Sequence, residues 1–396
     1  MTDKKKTSLG LAIVSVMLCF FAMGFVDLIG TANNFVKSDF GLSDSMANFM
    51  TSTMLFLMFL VFSVPSGLLM NKIGRKKTVL ASLVVTLVAM VLPVVDYSLP
   101  SIVVFSVLLG IGNAMLQTAL NPLLSSLVSG DKLASSITFG QFVKAIASFL
   151  APIIASWGAK MTTSLFGLEW RILFPIYFVI GILATLLLLA SHIEEEKTEG
   201  KVSGFMECMG LLKKPFVLLC FFGIVCHVGI DVGTNMTAPK VLVERFGLCL
   251  NEAMGATAVY FFCRTVGSFL GAFLLRVFSN KTFLGLSVVI MFVALAGMMV
   301  LDSQAAIYTC IGLIGFGNSN VFSIIFAEAL SSEPDYQNEV SGLLIMGLIG
   351  GAIFPILMGL ASDGMGSQNG ALAVMVAGVA FLFVYFMLLK SPKKAK

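Results

Sequence analysis

"GIGNAMLQTALNPLLSS" (residues 110–126) returns later in the chain as "GFGNSNVFSIIFAEALSS" (residues 315–332). Two other pairs keep the same order: "GLLMNKIGRKKTVL" (67–80) with "GAFLLRVFSNKTFL" (271–284), and "FLAPIIASWG" (149–158) with "IFPILMGLASDG" (353–364). Three ordered matches imply that one half of the chain is a duplicate of the other. Both copies of the first stretch are apolar enough for lipid, yet each carries amides. The first holds Asn113, Gln117 and Asn121, followed at once by Pro122.

The surrounding composition explains the apolar setting. Of 396 residues, 58% are hydrophobic and 12% charged, and the mean hydropathy is +0.99. Such values lie outside the range of soluble globular chains and place the protein in a bilayer. Apolar stretches of about twenty residues, the length that crosses a hydrocarbon core of about 30 Å as helix, occur roughly at 9–31, 46–70, 78–95, 101–126, 134–158, 171–191, 215–239, 252–277, 282–301, 305–330, 338–361 and 371–390. The fold class expected is all-α, with twelve transmembrane helices in two six-helix bundles. Their boundaries are 1–191 and 215–396, joined by a polar linker at 192–214. The first span follows Lys4, Lys5 and Lys6, but it is too long for a signal peptide and lacks a convincing cleavage site.

Basic residues set the orientation. They cluster at Lys4–Lys6, at Lys72, Arg75, Lys76 and Lys77, in the linker (Lys197, Lys201, Lys213, Lys214), at Arg276 and Lys281, and in the tail Lys390–Lys396. The positive-inside rule makes both termini and the linker cytoplasmic. The net charge of +4 is then an orientation signal with contacts to anionic lipid, not a nucleic-acid footprint. Seven scattered cysteines form no Cys-x-x-Cys pair, and two histidines are too few for a metal relay. No metal or other cofactor is expected. With no Ser-His-Asp grouping, phosphate-cradling loop, filter repeat or charged ring, an enzyme or a channel has little support.

The polar residues inside the spans carry the functional reading. Asn113, Gln117 and Asn121, spaced by four, form one helical stripe. Lipid cannot hydrate amides, so the stripe must face protein or water. Pro122 frees a backbone carbonyl near Thr118, a site for a bend or a ligand contact. Span seven repeats the spacing with His227, Asp231 and Asn235; span five offers Gln141, Lys144 and Ser148; span ten has Asn318, Asn320 and Glu328. Asp27, Lys144, Asp231 and Arg264 are ionisable groups deep in apolar segments, where such groups are rare and usually functional. These side chains are expected to converge on a wet chamber at the seam of the bundles, its amides matched to vicinal hydroxyls. Asp27 and Lys144 are natural partners, with proton uptake by the acid linked to a conformational change. Asp231 beside His227 is a second proton-coupling candidate, and Arg264 anchors packing or pairs with an acid. Tyr260, Phe261, Phe262 and Phe322 are candidates for stacking on a ring, and Trp157 and Trp170 for interfacial anchors.

The loop Gly67 to Lys77, "GLLMNKIGRKK", resembles the signature G-x-L-x-D-R-x-G-R-[RK] of the major facilitator superfamily, with Asn71 and Lys72 in place of the usual Asp and Arg. The resemblance implies two bundles related by an axis along the membrane normal. It also implies a conformational latch in which Gly67 and Gly74 permit close helix approach and Arg75 grips helix ends. A narrower likeness runs over most of the chain. "QTALNP", "FGQF", "HVGIDVG", "FFCRTVGSFLGAFLLRVF" and "MGLIGGAIFPILMGLASDGMG" resemble, in order, elements of the fucose-galactose-glucose:proton symporter family. That resemblance implies uptake of a monosaccharide, a hexose or deoxyhexose, by proton symport, with sodium as the alternative ion. Gln117 stands at a glutamate position of the family pattern, Lys144 where a neutral amide is usual, and Ser323 where proline is usual. An anionic sugar acid with Lys144 as counter-ion, or another polar metabolite, is the alternative cargo. A monomer in a bacterial inner membrane completes the expectation.

Overall fold

A computed structural model describes residues 3–42, 46–47, 49–128, 132–160, 167–193, 204–248, 250–253 and 255–389. Lys197 and Lys201 in the linker and the basic tail Lys390–Lys396 lie outside the described residues. Helix is the only regular structure among those described. Twelve helical segments are long and apolar enough to cross a membrane. Spans one to six are Gly10–Asp39, Phe49–Ile73, Arg75–Val95, Leu99–Leu127, Lys132–Ala159 and Glu169–Ala190; spans seven to twelve are Pro215–Phe246, Gly255–Leu274, Asn280–Val300, Gln304–Ser332, Pro334–Met365 and Asn369–Leu388. Span one continues past residue 31 to Asp39, and its polar extension finds partners: Thr51 Oγ1 donates to Asn33 Oδ1 at 2.9 Å.

Several spans are interrupted at depth. In span one the α-helix Asp3–Met23 tightens to a 3-10 turn at Gly24–Asp27 before Leu28–Asp39 resumes. Gly24 permits this turn to lie directly on span five, since a Cβ there would sit 2.6 Å from the Lys144 carbonyl oxygen and 2.8 Å from Ala147 Cβ. Span ten breaks between Gln304–Asn318 and Val321–Ser332. Span eleven passes through a 3-10 turn at Gly347–Ile349. Non-helical backbone at membrane depth is tolerated only where protein or water satisfies it.

The chain forms two compact units. Unit 1 comprises Met1–Ser129, Gly140–Met209 and Asp335–Met346; unit 2 comprises Gly130–Phe139, Gly210–Pro334 and Gly347–Lys396. Each unit therefore includes the opening turns of a span whose remainder is in the other. Hydrogen bonds account for both memberships. In unit 2, Ser135 Oγ donates to Ala272 O, and Arg276 Nε donates to Ser135 Oγ at 3.1 Å. In unit 1, Ser341 Oγ donates to Thr118 O at 2.6 Å. Thr118 is the residue whose carbonyl Pro122 was expected to free, so a hydroxyl from span eleven fills that acceptor.

The duplication is visible in side-chain detail. In unit 1, Asn113 Nδ2 donates to the carbonyl of Met23 in span one (2.9 Å); in unit 2, Asn318 Nδ2 donates to the carbonyl of His227 in span seven (3.3 Å). Four residues beyond those carbonyls lie Asp27 and Asp231, so the two acids occupy matching positions. From positions one residue apart in the repeat, Lys76 Nζ holds Ser191 O near the end of span six (2.6 Å) and Lys281 Nζ holds Leu389 O near the end of span twelve (2.5 Å). Positive charge at a helix C-terminus satisfies orphan carbonyls and complements the helix dipole.

Candidate functional site

In unit 1, the turn Gly24–Asp27 presents Asp27 to span five. Its Oδ2 accepts from Ser148 Oγ at 2.5 Å and lies 3.6 Å from Lys144 Nζ. The side chain is 42% exposed, against 18% for Lys144. An acid so exposed midway along a span must face water, since lipid offers a carboxylate no hydration. Gln141, three residues before Lys144 and on the same helical face, is half-buried.

The amide stripe of span four is spent largely on itself. Gln117 Nε2 donates to Asn113 Oδ1 (2.7 Å), Asn121 Nδ2 donates to the Gln117 carbonyl (3.1 Å), and Asn113 holds span one through Met23. Asn113 and Asn121 are fully buried and Gln117 is 4% exposed. One acceptor in the stripe, Asn121 Oδ1, has no partner among the described residues. Two of these bonds stay within span four, and among the described residues only Asn113 links the stripe to a neighbouring helix, a common use of interhelical amides in membranes.

Unit 2 builds a tighter network at the matching place. Asp231 Oδ1 accepts from the Tyr260 hydroxyl at 2.5 Å, and Arg264 Nη1 lies 3.1 Å from Asp231 Oδ2. Tyr260 is fully buried and its oxygen receives Asn318 Nδ2 at 3.3 Å. Asn318 Oδ1 lies 2.8 Å from His227 Nδ1. Asn235 Nδ2 bonds back to the Asp231 carbonyl (2.9 Å), leaving its Oδ1 buried without a partner among the described residues. Asn320 does not join this network: it donates to Gly267 O (3.1 Å) and Ser319 Oγ (2.6 Å) beside the break in span ten. Glu328 accepts from Asn280 Nδ2 at 2.7 Å.

Near the basic loop, Gly74 has φ +93° and separates spans two and three. A Cβ on Gly67 would meet Asn338 O at 2.6 Å, so span two lies against the opening turns of span eleven within unit 1. Asn71 Nδ2 donates to the buried Glu339 carboxylate at 2.6 Å, and its Oδ1 accepts from Asn338 Nδ2 at 2.7 Å. Arg75 donates to Asn338 Oδ1 (2.8 Å), Pro122 O (3.0 Å) and Gln337 Oε1 (3.1 Å). Asn338, Glu339 and Gln337 escaped sequence reasoning because their partners lie far away in the chain. Cys208 Sγ packs 3.8 Å from the Glu339 carbonyl, where burial, then the Glu339 charge, pushes its thiol up to about 12.

The aromatic candidates divide. Tyr260 and Phe322 are buried, whereas Phe261 and Phe262 are 43% and 69% exposed. Trp157 is exposed, but Trp170 is buried: it stacks on Phe35 at 5.0 Å and its indole N–H donates to Asp39 Oδ2 at 3.0 Å. Asp39 also accepts from Tyr97 Oη at 2.6 Å; burial, then this bond, raises the Tyr97 phenol above its usual range. A surface cavity in unit 2 lined by Lys240, Ser362, Asp363 and Gln368, among others, contains none of the expected site residues. Among the described residues, no group of three or more His, Cys, Asp or Glu side chains is placed to hold a metal ion.

Comparison with known proteins agrees with this architecture. A glucose/galactose transporter of Brucella abortus biovar 1 is 23% identical over 390 residues, spanning 95% of this chain and 93% of its own length. The crystal structure of the E. coli fucose:proton symporter superposes with a TM-score of 0.82 at 17% identity, covering 97% of this chain and 100% of that one. A proton:xylose symporter bound to 6-bromo-6-deoxy-D-glucose gives 0.77 at 14% identity, covering 98% and 97%. The sequence profile of the Major Facilitator Superfamily matches residues 13–355. With its twelve apolar spans, duplicated halves and buried polar clusters, the chain belongs to the Major Facilitator Superfamily, as a multi-pass membrane transporter and not an enzyme.

Proposed function

We propose that this protein takes up a monosaccharide by proton symport with alternating access. The observation that carries the reading is Asp27. It is a half-exposed acid at a break in a transmembrane helix, matched to a lysine at 3.6 Å and a hydroxyl at 2.5 Å, with one carboxylate oxygen unengaged among the described residues. Its exposed edge can accept a proton from water, and neutralising it cancels the attraction to Lys144. Proton binding and the packing of span one on span five are thereby linked. Gln141 and Lys144 offer donors for the solute, and the named hexose transport of the Brucella relative supports a sugar as cargo.

In this reading the bundles 1–191 and 215–396, joined by 192–214, carry the alternation. The chain works as a monomer in a bacterial inner membrane with both termini cytoplasmic, and the proton is the coupling ion with no other cofactor. Gly67, Gly74, Arg75 and the partners of Arg75 in Asp335–Met346 form a latch that parts and re-forms during the cycle.

Reconstitution in liposomes tests the proposal. An inside-alkaline pH gradient should drive accumulation of a sugar, and a sodium gradient should not. Asp27→Asn should still exchange solute but lose accumulation; an Asp27→Asn variant that concentrates solute with unchanged proton dependence removes Asp27 from the mechanism.

A further inference from the structure

The two acids that duplication placed at matching positions differ in how they are held. Asp231 is closed: Tyr260 donates to one oxygen, Arg264 lies against the other, and no further hydrogen-bond or ion-pair partner reaches its carboxylate among the described residues. Tyr260 is itself fixed by full burial and by Asn318. Arg264 therefore has a resident counter-charge on a rigid mount.

Asp27 is open. Both of its contacts fall on Oδ2, and Oδ1 is unengaged among the described residues. Lys144 Nζ lies beyond hydrogen-bond length from Oδ2, and no acceptor is within reach of its three donors among the described residues. Among the described residues, span six adds a titratable group near Asp27, Tyr177, whose hydroxyl is committed to the Ala147 carbonyl at 2.5 Å. Lys144 is thus a cation held near its counter-charge without being bonded to it.

Charge balance then bears on the cargo. Asp27 and Lys144 sum to zero within unit 1, as do Asp231 and Arg264 within unit 2. When a proton from the outer solution forms an O–H bond at Asp27 Oδ1, one positive charge is left over on Lys144, deep within the spans. An uncompensated charge at that depth is costly, and sugar hydroxyls do not cancel it. A carboxylate on the solute does. We propose that the solute carries one negative charge, a sugar acid of hexuronate or aldonate type, whose carboxylate takes Lys144 as protonation releases it from Asp27. Gln141, on the same face, bonds the hydroxyls. This inference rests on the proton-symport reading and specifies its substrate: one proton and one anion enter together, and no net charge crosses.

The test uses the full chain in proteoliposomes, with galacturonate, gluconate, galactose and glucose as solutes, and with pH gradient and membrane potential imposed separately. The expected result is net uptake of the acids at least tenfold faster than of the hexoses, driven by the pH gradient and unchanged by a valinomycin-set potential. Lys144→Gln should lose the acids and gain hexose exchange, while Lys144→Arg should keep the preference for acids and shows that a cation at this position, not folding, is what matters. Net hexose uptake accelerated by an inside-negative potential overturns the anion inference and leaves proton symport standing. Saturable uptake of either class with no response to the pH gradient overturns both.

Discussion

Replacing Tyr260 by Phe removes the donor to Oδ1 of Asp231, whose side chain is 16% exposed, and leaves the buried Asn318 Nδ2 with only the His227 carbonyl among the described residues. Unmatched buried polar groups cost about 1–3 kcal/mol each. Tyr260→Phe should therefore lower the thermal midpoint of the detergent-solubilised protein by several degrees, read by intrinsic fluorescence, while Phe261→Leu on the exposed side should leave it unchanged. The contrast shows what was legible at this scale. Asp27, Lys144 and Asp231 stood out because a charge in an apolar run is conspicuous in one dimension. Tyr260 was legible only as a ring that could stack, since nothing in the sequence shows that its hydroxyl meets the Asp231 carboxylate. The amides were legible as a stripe, but not as a stripe mostly spent on its own helix and on span one. Their partners include backbone carbonyls, which every residue carries.

At the scale of elements, hydropathy located all twelve spans because crossing a bilayer imposes a length and a composition. The breaks inside them were hidden. Gly24 lies in an apolar run like any other, and its role comes from the Lys144 carbonyl that would stand 2.6 Å from a Cβ. Gly24→Ala should push span one off span five and misplace Asp27. Overpacking of this kind costs about 1–3 kcal/mol, so the variant should be expressed and less heat-stable, with its pH-driven uptake reduced more than its solute exchange. Uptake and exchange falling by the same factor would mean that the turn serves packing alone. The break after Asn318 was equally silent, although the amides on either side of it were already candidates.

At the scale of the whole molecule, the departure from the superfamily loop acquires a reason. Asn71 stands where the pattern has Asp, and its amide donates to the buried Glu339 carboxylate contributed by span eleven. The acid has moved to the other partner of the contact. Asn71→Asp would set two carboxylates face to face, at a cost of about 3–5 kcal/mol if neither charge is compensated. Cys208 reports the result. Its thiol, raised to about 12, is almost wholly protonated at pH 7–8, and only the thiolate alkylates. Maleimide should react slowly with Cys208 in the parent at pH 7.5 and much faster in Asn71→Asp. Adding Glu339→Gln should restore protection, and labelling unchanged in Asn71→Asp would show that the contact does not hold this region shut.

Asp335–Met346 belongs to unit 1, though more than two hundred residues separate it from the spans it bonds. During translation the first six spans therefore emerge before the segment that completes their packing. The bonds of Thr118 O and Asn71 to this segment, and two of those of Arg75, can form only once residues 337–341 have been made, so the packing of the first bundle is completed only after most of the second has been translated.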